Sequence, residues 1–337
     1  MFEKKSKKVR ILIVSLLFIV FQLVVGAITF PLLVFYGPFE SVRDSLVGTA
    51  MTTYTHQFIA TTFLSDKVID DIMEKNTIDF SDIDLGSDEG IISVDDIKVS
   101  DKVEVFNIDG GNFQGKLIKV HDPTRVAVGY TSRKPLEGET TSTIARRNDA
   151  IAAINGGGFV DEGWSGTGGA PLGFIIHDGE VVYNHRSDFA LQDTIAFTKS
   201  GQMVVGRYSV NKLLEMGVTE GMTFGPPLVI NGNPTITSGD GGWGYAPRTA
   251  IGQTEDGAVL LLVADGRRLS SRGASLRDIQ DIFIENGAVN AANLDGGSST
   301  TMYYNGRVIN RPSDSLGERT VPTIFMVMPD DSSFVTD

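Results

Sequence analysis

The sequence predicts an α+β fold: mainly antiparallel or mixed β-sheet with a few packed helices, preceded by one apolar membrane-spanning helix. Two observations carry the sheet. Short apolar and β-branched runs recur from about residue 102 onward, and turn pairs separate them at Asp178-Gly179, Ser200-Gly201, Asp256-Gly257 and Asn305-Gly306. Helical periodicity is confined to a few segments of the same region, so strands outnumber helices. A third observation, the long uncharged run near the N-terminus, carries the membrane helix.

Residues 1–10 form a basic tail, with Lys4, Lys5, Lys7, Lys8 and Arg10 against Glu3. The formal net charge of the chain is −13, so the remainder is still more acidic. An acidic body argues against nucleic acid as a partner, because such binders need a basic face. Residues 11–36 contain no charge and only Ser15, Gln22 and Thr29 as clearly polar groups. A helix needs roughly 20 residues to cross a bilayer. The basic tail then lies in the cytoplasm and the large C-terminal part outside, by the positive-inside rule. A cleaved signal peptide would have an apolar region of about 7–15 residues and a small-x-small site close behind it. Only Gly48-Thr49-Ala50 resembles such a site, and it lies well downstream, so the run reads as an uncleaved signal anchor. The chain has no cysteine, which excludes thiol nucleophiles and thiolate metal sites.

Residues 37–101 read as a helical stalk followed by an acidic linker. Phe58, Ile59, Phe63, Leu64, Val68, Ile69 and Ile72 recur at roughly helical spacing. Asp82 and Asp84 resemble the start of a calcium loop, but Ser87 and Ser93 occupy the positions that need Gly and Glu. The main globular domain is expected over 102–330. Strands are expected at Lys116–Val120, Arg125–Tyr130 and Ile151–Ile154, and helices at Thr141–Ala150, Val210–Met216 and Ala274–Asn286. The last of these presents Leu276, Ile279, Ile282 and Phe283 on one face and stops at Gly287.

Six strand-like segments end in glycine plus a polar group. They are Ile154-Asn155-Gly156-Gly157-Gly158, Phe224-Gly225-Pro226-Pro227, Pro247-Arg248-Thr249, Ala264-Asp265-Gly266-Arg267-Arg268, Leu294-Asp295-Gly296-Gly297-Ser298-Ser299, and Gly317-Glu318-Arg319. Glycine lets a ligand approach bare backbone N–H groups, Asn and Ser add donors and acceptors, and Arg can fork onto a phosphate. Each segment also has a purely structural reading: a hinge, a Pro-fixed bend, a capped turn, or a surface charge. Asp265 could be catalytic or could orient an arginine, and Arg319 could contact phosphate or pair with Glu318 or Asp314. Loops at strand ends of a rigid sheet are the usual place for a site.

Ile154-Asn155-Gly156-Gly157, Pro247-Arg248-Thr249-Ala250, Val263-Ala264-Asp265-Gly266-Arg267 and Asn293-Leu294-Asp295-Gly296-Gly297-Ser298-Ser299 follow one another in the order found in the phosphodiester glycosidase family. Asn310-Arg311-Pro312-Ser313-Asp314 and Arg319 are similar to that family's closing segment. The resemblance covers roughly residues 102–330. The sequence departs from the family pattern at Gly158, which precedes Phe159, and at Ser298, which directly follows the glycine pair. The resemblance implies hydrolysis of the C1–O bond of a sugar-1-phosphodiester in a surface or exported glycan, such as exopolysaccharide, with no cofactor. Asp295 and Asp265 become the candidate catalytic acids. Asn155, Gly156, Gly157, Arg248, Gly296, Gly297, Ser298, Ser299 and Arg319 become the candidate substrate-binding groups. The partners implied are a phosphate-bearing carbohydrate and, through residues 11–36, the membrane.

Three other classes compete. A metal phosphodiesterase would gather several His and Asp ligands, and His121, His177 and His185 show no such spacing. A serine hydrolase on Ser298 lacks the G-x-S-x-G elbow. A non-catalytic phosphoglycan-binding module would keep the arginines without needing both aspartates. Trp164 and Trp243, each among glycines, are candidates for stacking on a sugar or for plain burial.

Overall fold

The computed structural model describes residues 2–51, 57–75, 100–160, 167–268 and 270–330. The chain divides into two compact units, Met1–Thr77 and Ile78–Asp337. In the first, one α-helix spans Phe2–Tyr36, so the basic tail is helical as well as the apolar run. Its segment Val9–Tyr36 is long and apolar enough to cross a membrane, with a mean hydropathy of 2.9 in its richest window; most of its side chains are exposed, while Val34 and Phe35 at its end are buried. Helices Glu40–Met51, Phe58–Thr61 and Asp66–Lys75 follow. They form a small core of Phe35, Val47, Ala50, Ala60, Ile69 and Ile72, and the Phe35 and Phe63 rings stack at 4.8 Å. The expected stalk is therefore a set of short helices folded onto one another. The acidic segment around Asp82 and Asp84 lies outside the described residues.

The second unit contains three large sheets and two two-stranded ones, and every pairing among its described strands is antiparallel, so the mixed element of the expectation has no counterpart there. The seven-stranded sheet runs Val103–Asp109, Gln114–Val120, Val259–Ala264, Arg248–Thr254, Ala288–Leu294, Pro227–Ile230, Asn233–Pro234. One five-stranded sheet centres on Val218–Thr223, with Gln192–Thr198 and Phe174–His177 beside it. The other centres on Ala152–Asn155, between Met302–Tyr304 and Thr323–Val327. All four expected turn pairs close hairpins between adjacent strands.

Strand periodicity explains the layering. In Val259–Ala264, Val259, Leu261 and Val263 enter a core shared by all three sheets, while Leu260, Leu262 and Ala264 face a second core on the outer side. A strand buried on both faces reads as an unbroken apolar run. One helix covers the outer face of each sheet. Leu276–Glu285 lies on the seven-stranded sheet, Thr141–Arg147 and Val210–Glu215 on the other two. Helix Leu276–Glu285 starts at a capping box formed by Ser275 and Asp278, which satisfies N–H groups that the first turn leaves open. Its Leu276, Ile279 and Phe283 are fully buried. Gly252 lets Phe283 close onto the sheet, since a Cβ there would sit 2.8 Å from the ring. Burying that ring stabilises the layer by about 2–3 kcal/mol.

Candidate active site

Register brings the sequence motifs to one end of the seven-stranded sheet. Arg248 pairs with Ala264, and Thr249 pairs with Val263 on one side and Leu294 on the other. Asp265 and Asp295 therefore leave the sheet side by side, flanking the strand that begins at Arg248. Their main chains are two strand spacings apart, roughly 10 Å.

Asn155 joins the layers beneath this edge. It ends the strand Ala152–Asn155 and is fully buried. Its Nδ2 donates to the carbonyl oxygen of Asp295 at 2.5 Å. Its Oδ1 accepts from Thr249 Oγ1 at 2.7 Å and from the Thr301 N–H at 3.1 Å. The amide thus clamps both ends of the Asp295 loop to the neighbouring strand. Gly156 and Gly157 do not offer their N–H groups to a ligand, as the sequence suggested. Gly156 N donates to Thr323 O at 2.8 Å, and Gly157 N to Thr323 Oγ1 at 2.9 Å. A Cβ at Gly156 would meet Met222 Sδ and Thr323 Oγ1 at 2.7 Å, so close packing demands glycine there.

Arg248 also differs from the sequence expectation. Successive residues of its strand face opposite sides, so Thr249 turns towards Asn155 and Arg248 turns away from it. The Arg248 guanidinium is 4% exposed and donates to the carbonyls of Ala274, Trp243 and Gly244 at 3.1, 2.9 and 2.7 Å. Burial pulls its pKa down to about 10, so it stays charged at neutral pH. Trp243 is half-buried against the helix-covered core, with the guanidinium carbon 5.8 Å from its ring centre. Trp164 lies outside the described residues.

Asp265 is a bracket for the chain's closing segment. Its Oδ1 accepts from Asn310 Nδ2 at 3.1 Å and from the Arg311 N–H at 3.0 Å. Asn310 in turn accepts from the Met302 N–H and donates to Thr300 O. The two carboxylates engage different neighbours.

Asp295 is the acid with an unusual environment. Burial pushes its carboxyl up to about 6, while Ser299, the charge of Arg319 and the Gly296 main chain pull the other way. Ser299 Oγ is buried and lies close enough to the carboxyl to favour its ionised form. Gly297 adopts a left-handed φ of 61° and donates its N–H to Pro247 O at 2.8 Å. A Cβ at Gly296 would sit 2.7 Å from that same oxygen. The glycine pair therefore folds the loop tightly instead of exposing both its donors.

Two arginines stand near the Asp295 loop. Arg319 is near enough to bias its ionisation and lies over the Phe159 ring, 4.7 Å from its centre. Glu318, the alternative partner for Arg319, instead accepts from Ser142 N at 2.9 Å and Ser142 Oγ at 2.5 Å, at the start of helix Thr141–Arg147. Arg267, which sequence reasoning did not select, donates from Nη1 to Ser298 Oγ at 3.1 Å. Partial desolvation, then the charge of Arg319, hold the Arg267 guanidinium below its ordinary range. Two guanidiniums close enough to repel one another, beside a hydroxyl-lined loop, favour an anion between them. The sequence held one signal for Arg267, its place directly after Asp265-Gly266. Its backbone φ of 59° is what singles it out from Arg268.

The three histidine-based expectations change in one place. His177, Asp178 and Glu220 come together although their spacing does not suggest it, with ligand-type atoms within 4.8 Å of one another. Glu220 is saturated by protein donors: Val128 N at 2.7 Å, Asp178 N at 3.0 Å and His177 Nδ1 at 3.0 Å.

An antiparallel three-sheet scaffold that presents one elevated carboxyl beside clustered arginines defines a candidate hydrolase of anionic esters or glycosides. Residues 148–328 match the phosphodiester glycosidase family, and the chain belongs to that family. It is 31% identical over 220 residues to the SPbeta prophage-derived protein YomE of Bacillus subtilis, covering 63% of this chain and 32% of that protein. It is 28% identical over 239 residues to the N-acetylglucosamine-1-phosphodiester alpha-N-acetylglucosaminidase of Mus musculus, covering 62% and 43%. The chain thus spans less than half the length of the curated relatives it matches. The catalytic domain of the zebrafish enzyme of that same name superposes with a TM-score of 0.58 at 24% identity, covering 69% of this chain and 85% of that domain, which establishes a shared fold.

Proposed function

We propose that the chain hydrolyses the C1–O bond of a sugar-1-phosphodiester, releasing a free sugar and a phosphomonoester. The observation that carries this reading is Asp295, an acid tuned towards neutral pH beside Arg319 and Arg267. The substrate class follows the family and the printed activity of the Mus musculus relative, with an N-acetylglucosamine-1-phosphodiester as the first substrate to try.

The chemistry suits the groups present. A departing phosphomonoester accepts the bonding electrons at low cost, because its final proton binds with a pKa of about 6. No strong general acid is needed at the leaving oxygen, which fits a site with one reactive carboxyl. Arg319 and Arg267 hold the phosphate, and their charge stabilises it as it departs. Ser298 and Ser299 line the loop that meets sugar or phosphate oxygens. Ionised Asp295 attacks C1 or takes a proton from the attacking water, and the anomer first released distinguishes the two. Asn155, Arg248 and Asp265 act as positioning residues. They hold the Asp295 loop, the Trp243–Gly244 turn and the closing segment respectively.

The N-terminal helix Val9–Tyr36 anchors the protein, and the basic tail keeps that end cytoplasmic, so the enzyme meets exported phosphoglycans. Protease protection of a tag at the N-terminus, with exposure of one at the C-terminus in intact cells, tests this topology. The reaction is tested with the full chain in detergent, a panel of sugar-1-phosphodiesters, and isotopically labelled water. Label in the sugar supports C–O cleavage. Label in the phosphate refutes it, and binding without turnover favours a non-catalytic phosphoglycan module.

A further inference from the structure

The sheet end that carries Asp265 opens into a cavity of about 500 Å³, lined among others by Lys116, Asp265, Arg268, Ser271 and Arg311. A second cavity of about 410 Å³ shares Lys116 and Ile309 with it and continues past Tyr304 and Arg307. The two make one groove with four cations, Lys116, Arg268, Arg307 and Arg311. Its acids are Asp109 and Asp265, and both already accept from protein donors: Asp109 from Gly111 N, Asp265 from Asn310 Nδ2 and Arg311 N. In a chain with a net charge of −13, a groove with more cations than acids is a local inversion of the field.

One main-chain turn links the groove's lining to the Asp295 loop. Arg267 sits at a φ of 59°, a conformation that costs a non-glycine residue strain and that proteins retain at functional sites. The turn sends consecutive arginines to two places. Arg267 reaches Ser298 on the Asp295 loop, while Arg268 lines the groove and donates to Pro312 O at 3.2 Å.

We propose that the groove binds the aglycone side of the substrate, and that this aglycone is a polyanionic chain of phosphodiester-linked units. Its next phosphate meets Arg268 and Arg311, a further one meets Lys116 and Arg307, and a ring between them lies against Tyr304. The proposal rests on reading the Asp295 cleft as the cleavage site. It makes the enzyme one that works along an anionic polymer, with the terminal sugar in the cleft and the chain in the groove.

Calorimetric titration of the full chain carrying Asp295→Asn in detergent, with two probes that this background leaves intact, tests this. One is the methyl ester of N-acetylglucosamine-1-phosphate, with one phosphate. The other is the same sugar phosphate extended by two glycerol-phosphate units. The extended probe should bind about tenfold tighter, through the effective concentration its tether supplies. That gap should shrink at high salt, as exposed charge contacts are screened. It should fall below about twofold in Arg311→Ala and in Arg268→Ala, each of which removes one charge that meets the added phosphates. Arg311→Ala keeps the main-chain N–H that Asp265 accepts. Free glycerol phosphate added with the short probe should not reproduce the gap. Equal affinities in the Asp295→Asn background, or a gap undiminished when either arginine is also replaced, overturns the groove. A gap that behaves as expected, with no turnover of either probe by the wild type, overturns only the cleavage reading.

Discussion

Replacing Asp295 with Asn should destroy activity and stabilise the fold. The Asp295 carboxyl lies near 6 in the folded protein against 3.8 for the unperturbed group. The folded state therefore holds on to a proton that the unfolded chain releases at lower pH. The sign follows directly: stability is greatest below about pH 4 for this group and declines as pH rises towards 6. Above that, ionised Asp295 weighs against folding. A shift of about two units corresponds to about 3 kcal/mol. The side chain is half-buried, so screening reduces this to about 1–3 kcal/mol. Asn keeps the shape and removes the charge. Differential scanning calorimetry at pH 7.5 should place Asp295→Asn about 2–8 °C above the wild type, and at pH 4 the two should nearly coincide. Turnover of a sugar-1-phosphodiester should fall by at least about a thousandfold, the scale on which an essential catalytic group acts. A variant that keeps near-wild-type turnover, or whose melting temperature shows no pH-dependent gain, refutes the assignment of Asp295 as the reacting acid.

Arg319 pulls the Asp295 carboxyl down, so Arg319→Ala should move the acid limb of the kcat/KM profile to higher pH and raise KM about tenfold or more; an unmoved limb with unchanged KM contradicts its role. Asn155→Ala leaves the Thr301 N–H and Thr249 hydroxyl without their acceptor in a sealed interior. Urea unfolding should show a loss of about 2–4 kcal/mol, and a loss below about 1 kcal/mol would mean that water replaces the amide. At Asp265, Asn can still accept from Asn310 and Arg311, so Asp265→Asn should retain activity within about tenfold, whereas Asp265→Ala should lose about 1–3 kcal/mol of stability. Loss of activity in Asp265→Asn on the scale of Asp295→Asn would make Asp265 a second reacting acid. His177 is raised above 6.5, first by its hydrogen bond to Glu220. Its contribution is complete below pH 6.5 and is lost as pH rises through the folded value. The stability gap between wild type and His177→Gln should therefore narrow from pH 5.5 to 8.5, and a constant gap would exclude the ion pair as its source.

Much of the scaffold was legible because local rules decide it. Asp256-Gly257 and Asn305-Gly306 demand turns whatever surrounds them, since a left-handed φ is available there at least cost. The run Val259–Ala264 read as a buried strand, and Gly287 marked the end of the last helix, whose start at the Ser275–Asp278 capping box only the structure located. The candidate site was legible as a set of segments, but roles within it were not. Arg248 and Arg319 look alike in sequence, each beside a strand and each able to fork onto a phosphate. Strand alternation turns the first into the carbonyl-lined interior, while Phe159 and the helix cap at Glu318 leave the second near Asp295. The glycine run after Asn155 suggested open N–H donors, yet those donors meet Thr323, more than 160 residues away in the chain.

The elements, their turns, the apolar N-terminal helix and the family motifs were readable from the chain alone, because these depend on periodicity and backbone preference within a few residues. Which carboxyl is pushed towards neutral pH, and which arginines stand near its loop, came only from the folded arrangement. Ionisation and charge clustering depend on burial and on neighbours brought together by sheet register, and Asp265 and Asp295 acquire different chemistry from nothing but where that register puts them.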